Sequence, residues 1–141
     1  MSNIKVFEND LPKDLDLSNE KFIGLDNEAL GLVLGRDPLT LVQLGLESKN
    51  FYLIKLNRDT YHAPNLIRAL SNESTQYIMH YARQDLLWLK YHLKVKPKNI
   101  FCTKVASKIA RTASSYHGYK DLVKELCGKD ISKKEQQSDW G

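Results

Sequence analysis

Asp26 and Glu28 stand two residues apart in the run Lys21-Phe-Ile-Gly-Leu-Asp-Asn-Glu-Ala-Leu-Gly-Leu32. Side chains two apart on a strand share a face, so an apolar strand ending in Asp-x-Glu sets two carboxylates side by side at its carboxyl end. Hard oxygen donors in that arrangement suit magnesium or manganese. A third acid, Asp85, falls in the first turn of a helix that follows a strand at residues 75–80, where the helix dipole favours negative charge. Asp85 and Leu89 are four apart and share nearly one face, which aims the carboxylate at the sheet surface against which Leu89 packs. Three carboxylates can converge there. Read alone, the same residues also fit a solvated strand end and an ordinary first-turn acid, because Asp-x-Glu often arises by accident.

The other chemistry-bearing groups are less specific. Lys104, Lys108 and Arg111 are spaced by four and three and form a basic stripe beside Val105 and Ile109, placed either to hold substrate phosphates or simply to solvate a helix face. His80, at the end of an apolar strand, fits a substrate contact or a hydrogen-bonded core histidine equally, and His117 before Gly118 fits a cap or a packing role. No Ser/His/Asp set with supporting context and no glycine-rich phosphate loop is present. Cys102 and Cys127 are far apart, without a CxxC pair or flanking histidines, and read as reduced and structural.

These residues need a frame, and the hydrophobic pattern supplies one. Residues 1–19 are polar and acidic and read as an arm ahead of the first strand, expected at 22–25. Apolar runs at 39–44 and 51–56, separated by residues 45–50, continue as a hairpin, giving a three-stranded meander. Residues 63–70 read as a short helix with Pro64 in its first turn. A strand at 75–80, a helix at 83–93 stopped ahead of Pro97, a short strand at 99–102 and a helix at 104–112 with Val105 and Ile109 inward follow. A last helix at 118–126 carries Leu122, Val123 and Leu126 as its apolar stripe and Gly128 as its left-handed stop. Strands first, then strands alternating with helices, argue for an α/β domain with a mixed sheet.

Composition bounds the function. The chain has 141 residues, 42% hydrophobic and 27% charged, with seven Gly and four Pro, the make-up of one ordinary globular domain able to bury roughly 68% of its unfolded surface. No apolar run approaches the ~20 residues of a membrane helix and the first ten residues lack the pattern of a signal peptide, so a cytoplasmic protein with no membrane partner is expected. Residues 1–82 carry a charge of −3 and residues 83–141 one of +7. The basic second half favours a phosphate-bearing partner through steering and counterion release, although a lysine-rich solvated surface has the same composition.

Five ordered blocks add a family signal: Leu25-Asp-Asn-Glu-Ala-Leu-Gly-Leu32, His80-Tyr-Ala-Arg-Gln-Asp-Leu86, Ile100-Phe-Cys-Thr-Lys-Val-Ala-Ser107, His117-Gly-Tyr119 and Ile131-Ser-Lys-Lys-Glu-Gln-Gln-Ser-Asp-Trp140. In this order they resemble the ribonuclease D-like DEDD exonucleases, and among them the short bacterial oligoribonucleases, over nearly the whole chain. The resemblance implies a ribonuclease H-like fold and 3′-to-5′ hydrolysis of short RNA with two Mg2+ or Mn2+ ions, which in such sites activate water and stabilise the leaving oxygen. Carried over residue by residue, Asp26 binds both ions, Glu28 one of them, Asp85 completes the cage, and Leu30 borders the terminal nucleotide. Short RNA or another single-stranded nucleic acid is the implied partner; relatives form rings, which leaves two alternatives open, a homo-oligomer and a chain without the ring contacts.

In the family pattern Ser-Asp-Trp is followed by a helix bearing Tyr-x-x-x-Asp, whose aspartate is a fourth ligand and whose tyrosine orients the attacking water. The sequence reaches Gly141 directly after Trp140. The expectation is therefore a mixed sheet incomplete at its C-terminus, an exposed apolar patch, and either weak activity or a separate chain that supplies the missing motif. The alternative of another class is a catalytically impaired remnant that binds nucleic acid or a partner chain through its basic half. Gln84, where relatives commonly have phenylalanine, and Ala29, where they commonly have threonine, are smaller departures.

Overall fold

The computed structural model describes residues 3–132. Strands β2 (Phe22–Ala29), β3 (Leu39–Leu46) and β4 (Asn50–Lys55) pair antiparallel in chain order, the meander that the apolar runs predict. Beyond them come α1 (Pro64–Leu70), β5 (Gln76–Met79), α2 (Arg83–Trp88), β6 (Ile100–Cys102), α3 (Thr103–Ala110) and α4 (Tyr119–Cys127). β5 and β6 add to the β2 edge in parallel. The sheet has six strands in the order β1-β4-β3-β2-β5-β6, so β2, which bears Asp26 and Glu28, lies inside it.

The arm expected at residues 1–19 carries a strand that the sequence reading lacks. β1 (Asn3–Glu8) runs parallel to β4 as an edge strand. Its side chains are mostly exposed, so polar residues alternate with apolar ones and the segment reads as polar. Phe7 packs on Tyr52, ring centroids 5.6 Å apart. The rest of the arm is tied to α1. Ala63, the residue capping α1, makes no side-chain cap; the Asp10 carboxylate takes its place, accepting from the Asn65 and Leu66 amides at 2.9 and 2.8 Å. Leu11 and Leu17 are buried beside it.

One face of the sheet holds the core. Ile23 and Leu25 of β2, Val42 and Leu44 of β3 and Tyr77 and Met79 of β5 join Leu66 and Leu70 of α1 and Trp88 and Leu89 of the α2 region in one buried cluster. α2 continues as a π-helical turn over Leu89–Leu93 and stops at left-handed Lys94, φ 56°, three residues ahead of Pro97. The opposite face carries Asp26 and Glu28 and is far more open: Phe22, Phe51 and Phe101 are 40–43% exposed and Val6 is 55% exposed. The open apolar surface expected from the sequence is thus present among the described residues. Gly45 of β3 admits the Phe51 ring, since a Cβ there would lie 3.3 Å from it.

The C-terminal helices differ from expectation in their facing. Val105 and Ile109, expected inward, are 52% and 74% exposed, and Leu126 is 70% exposed. Apolar spacing finds a stripe on a helix but not what covers it, and here only Ser107 of α3 and Leu122 of α4 are buried. Gly128 ends α4 with φ 66°, the left-handed stop expected. No helix among the described residues is long and apolar enough to cross a membrane.

Candidate active site

β2 is longer than the apolar run suggests and continues through Asp26 and Glu28 to Ala29, so both carboxylates stand on the last turns of pleat rather than beyond the strand. Parallel pairing of β2 with β5 ends at Gly24 opposite Ile78. Past that point the β5 side of β2 is free, and α2 enters there with Asp85, a buried residue at 9% exposure. Asn27 joins the two elements. Its side-chain amide donates to the Asp85 carbonyl at 3.2 Å, and its backbone N–H serves the carboxylates of both Asp26 and Asp85.

The three acids act on one another. Burial pushes the Asp85 carboxyl up to about 7, with the Asp26 charge the next cause and that of Glu28 adding to it, against lowering hydrogen bonds from the backbone amides of Asp85 and Asn27. Burial, then the Asp26 charge, raises Glu28, while Gln43 opposes the rise. Asp26 opens to solvent, yet the protein packed around it still raises its carboxyl by desolvation. Among the described residues no Lys or Arg pairs with any of the three. Like charges held together with no counter-charge call for a cation, and a set of carboxylate oxygens suits a hard one. The donor types present are those that suit Mg2+ or Mn2+; among the described residues, no three His, Cys, Asp or Glu side chains are grouped so that they could hold an ion.

The flanking candidates are distributed around this group. Leu30 is 40% exposed, and its amide donates to the Pro38 carbonyl at 3.1 Å. His80 Nδ1 lies 2.9 Å from the Thr103 hydroxyl, which donates to the Met79 carbonyl at 3.2 Å; the hydroxyl proton is used there, which makes Nδ1 the donor of the first bond. Burial, then Lys104, lowers the His80 pKa. Lys104 Nζ sits 4.2 Å above the Tyr81 ring, and Tyr81 itself holds a left-handed φ of 62°. Lys108 is exposed. Arg111 is engaged within the fold, donating to Ser107 Oγ at 3.0 Å, to the Tyr116 carbonyl at 3.3 Å and to Glu125. His117 Nδ1 pairs with Ser107 Oγ at 2.8 Å; Ser107 is buried at 6% exposure, which leaves no accessible hydroxyl for a nucleophile.

Two β3 residues near the acids escape sequence reasoning. Gln43 lies directly across from Asp26 and donates to Glu28 Oε1 at 3.4 Å, and the Thr40 hydroxyl donates to the Glu28 carbonyl at 2.9 Å. A lone amide in an apolar strand was the available signal, but only the register places it on Glu28.

The sequence model of the 3′-5′ exonuclease family matches residues 5–141. Ribonuclease D of Xanthomonas oryzae pv. oryzae is 30% identical over 122 residues, 84% of this chain and 32% of that protein. Brucella melitensis NrnC, solved with bound Mg2+, superposes with a TM-score of 0.89 at 36% identity, covering 98% of this chain and 66% of that one. NrnC bound to pGG gives 0.90 at 37% identity, covering 99% and 67%. The chain thus spans about a third of the curated relative and about two thirds of the solved ones. The six-stranded mixed sheet and the close superposition identify the fold as ribonuclease H-like. The sheet, the ordered sequence blocks and these likenesses all lead to one place: the chain belongs to the 3′-5′ exonuclease family, on its ribonuclease D-like side and close to NrnC.

Proposed function

We propose that this chain carries the catalytic acids of a 3′-to-5′ exoribonuclease that removes nucleotides from the 3′ end of short RNA. The observation that carries the proposal is that burial raises all three carboxyls and the Asp26 charge raises Glu28 and Asp85 further, while among the described residues no Lys or Arg pairs with any of them. Asp26, Glu28 and Asp85 would be the residues that hold Mg2+ or Mn2+, with Asp26 the central ligand. Bound ions supply charge stabilisation and an activated water for in-line displacement at phosphorus. The relatives solved with Mg2+ and with pGG support this assignment of metal and of substrate class.

The protein's own groups do the rest. Asn27 keeps the first turn of α2 against β2, so the three acids keep their spacing when charged. Leu30 borders the terminal nucleotide, and His80, locked by Thr103, faces the substrate beside Lys104. Lys104 and Lys108 receive backbone phosphates, while Arg111, bound to Ser107 and Glu125, shapes the α3–α4 corner behind them.

The test is incubation of the purified chain with a labelled RNA dinucleotide and Mn2+, beside Asp26→Asn. Turnover that the substitution abolishes is the expected result. Retained RNA binding with no turnover, in the presence of a peptide bearing Tyr-x-x-x-Asp, would establish the non-catalytic binding module instead.

A further inference from the structure

We propose that Gln43 and Thr40 of β3 are positioning residues that set the direction of the Glu28 carboxylate, an inference that rests on the metal-site reading above. The local register is irregular. Glu28 pairs with Leu41 and Ala29 with Leu39, so Thr40 is the extra residue of a bulge in β3. Bulges bend a strand and re-aim side chains, and they concentrate next to active sites. Here the bulge is fastened on both sides: the Thr40 hydroxyl donates to the Glu28 carbonyl at 2.9 Å, and the Thr40 carbonyl accepts from the Leu56 amide at 2.9 Å. Thr40 is buried at 6% exposure, so its hydroxyl bond is kept out of competition with water.

Gln43 fixes the other end of the same residue. It is the only amide side chain in Leu39–Leu46, a strand of apolar residues, glycine and Thr40. It stands opposite Asp26 in the register, where it reaches diagonally to Glu28, and its Nε2 donates to Glu28 Oε1 at 3.4 Å. That bond occupies one carboxylate oxygen with a neutral donor and leaves Oε2 free. Thr40 thereby holds the main chain of Glu28 and Gln43 its head group, so the side chain enters the shared space in one orientation. Groups that orient a ligand are typically worth ten- to a hundredfold in metal affinity.

The experiment measures Mn2+ binding by electron paramagnetic resonance and by calorimetry, with melting temperature followed in parallel. Gln43→Leu keeps the volume and removes the donor; the expected result is Mn2+ binding weaker by about tenfold with the melting temperature held. Thr40→Val is expected to weaken binding and Thr40→Ser to restore it. If Gln43→Leu does not fold, the Thr40→Val and Thr40→Ser pair decides. Unchanged Mn2+ affinity in Gln43→Leu and Thr40→Val, or a fall in melting temperature alone, overturns the positioning role. Asp26→Asn separates the two readings: if it leaves Mn2+ binding intact, the metal site itself falls, whereas if it abolishes binding while the β3 variants retain it, only the positioning role falls.

Discussion

Replacing Asp85 by asparagine should stabilise the metal-free protein, and only above mildly acidic pH. The Asp85 carboxyl is lifted from its ordinary 3.8 to about 7, by burial first and by Asp26 second. Below pH 3.8 the group is protonated in folded and unfolded chains alike and contributes nothing. Between 3.8 and about 7 the folded chain keeps a proton that the unfolded chain has released, so stability falls as pH rises through that window and the loss is complete above it. At 1.36 kcal/mol per pH unit the ceiling is about 4 kcal/mol. Relaxation and water entry bring the effective figure nearer about 2 kcal/mol, or about 6 °C in melting temperature for a chain of this size. The assay is thermal unfolding of wild type and Asp85→Asn in chelator from pH 4 to pH 8.5. Because Asp26 and Glu28 are coupled to Asp85, the difference reports the Asp85 charge together with its effect on these two neighbours. The expected gap is near zero at pH 4 and grows to its plateau above pH 7, with the variant the more stable. Saturating Mn2+ should then narrow the gap by stabilising wild type more than the variant, which keeps only Asp26 and Glu28. A gap independent of pH, or a variant less stable at pH 8 in chelator, would refute the idea that Asp85 is buried among like charges.

Further outcomes follow from the same contacts. Asp10→Ala removes the carboxylate that caps α1 from the N-terminal arm and should cost about 1–2 kcal/mol in denaturant unfolding, with Mn2+ binding unchanged; an unchanged midpoint would show that the arm does not support α1. RNA affinity should fall steeply with salt, and the slope should flatten by about 1 for each of Lys104→Ala and Lys108→Ala. Arg111→Ala, by contrast, should lower stability by loosening Ser107, Tyr116 and Glu125 and leave the salt slope alone, so a flattened slope in that variant would place Arg111 at the substrate.

What the sequence reveals and what it hides divide along the line between local pattern and register. The meander, α1, β5 and the helix bearing Asp85 are legible because their apolar residues recur at the period of the element and face a core that covers them. β1 is not, because an edge strand with few buried side chains has no reason to look apolar. The inward reading of Val105 and Ile109 fails for the converse reason: the period gives a helix its stripe, and only the packing of other elements decides whether anything lies over it. Types and spacing alone leave Asp26, Glu28 and Asp85 open between a metal site and a solvated strand end, and it is the ordered family blocks that single them out.

The supports around the acids required the strands to be laid side by side. Gln43 is fifteen residues from Glu28 and Asn27 fifty-eight from Asp85, and no local period links such pairs. This distribution has a physical cause. A group that must meet a dication needs only the right atom type, whereas a group that aims it must match the geometry of a particular backbone, here a bulge at Thr40 and the point where β2 parts from β5. Carboxylates raised by burial, and in Glu28 and Asp85 also by the Asp26 charge, are costly to ionise in the fold, so contacts from outside the set hold them. These contacts are neutral amides and a hydroxyl, which fix direction without cancelling the negative charge that a cation would meet.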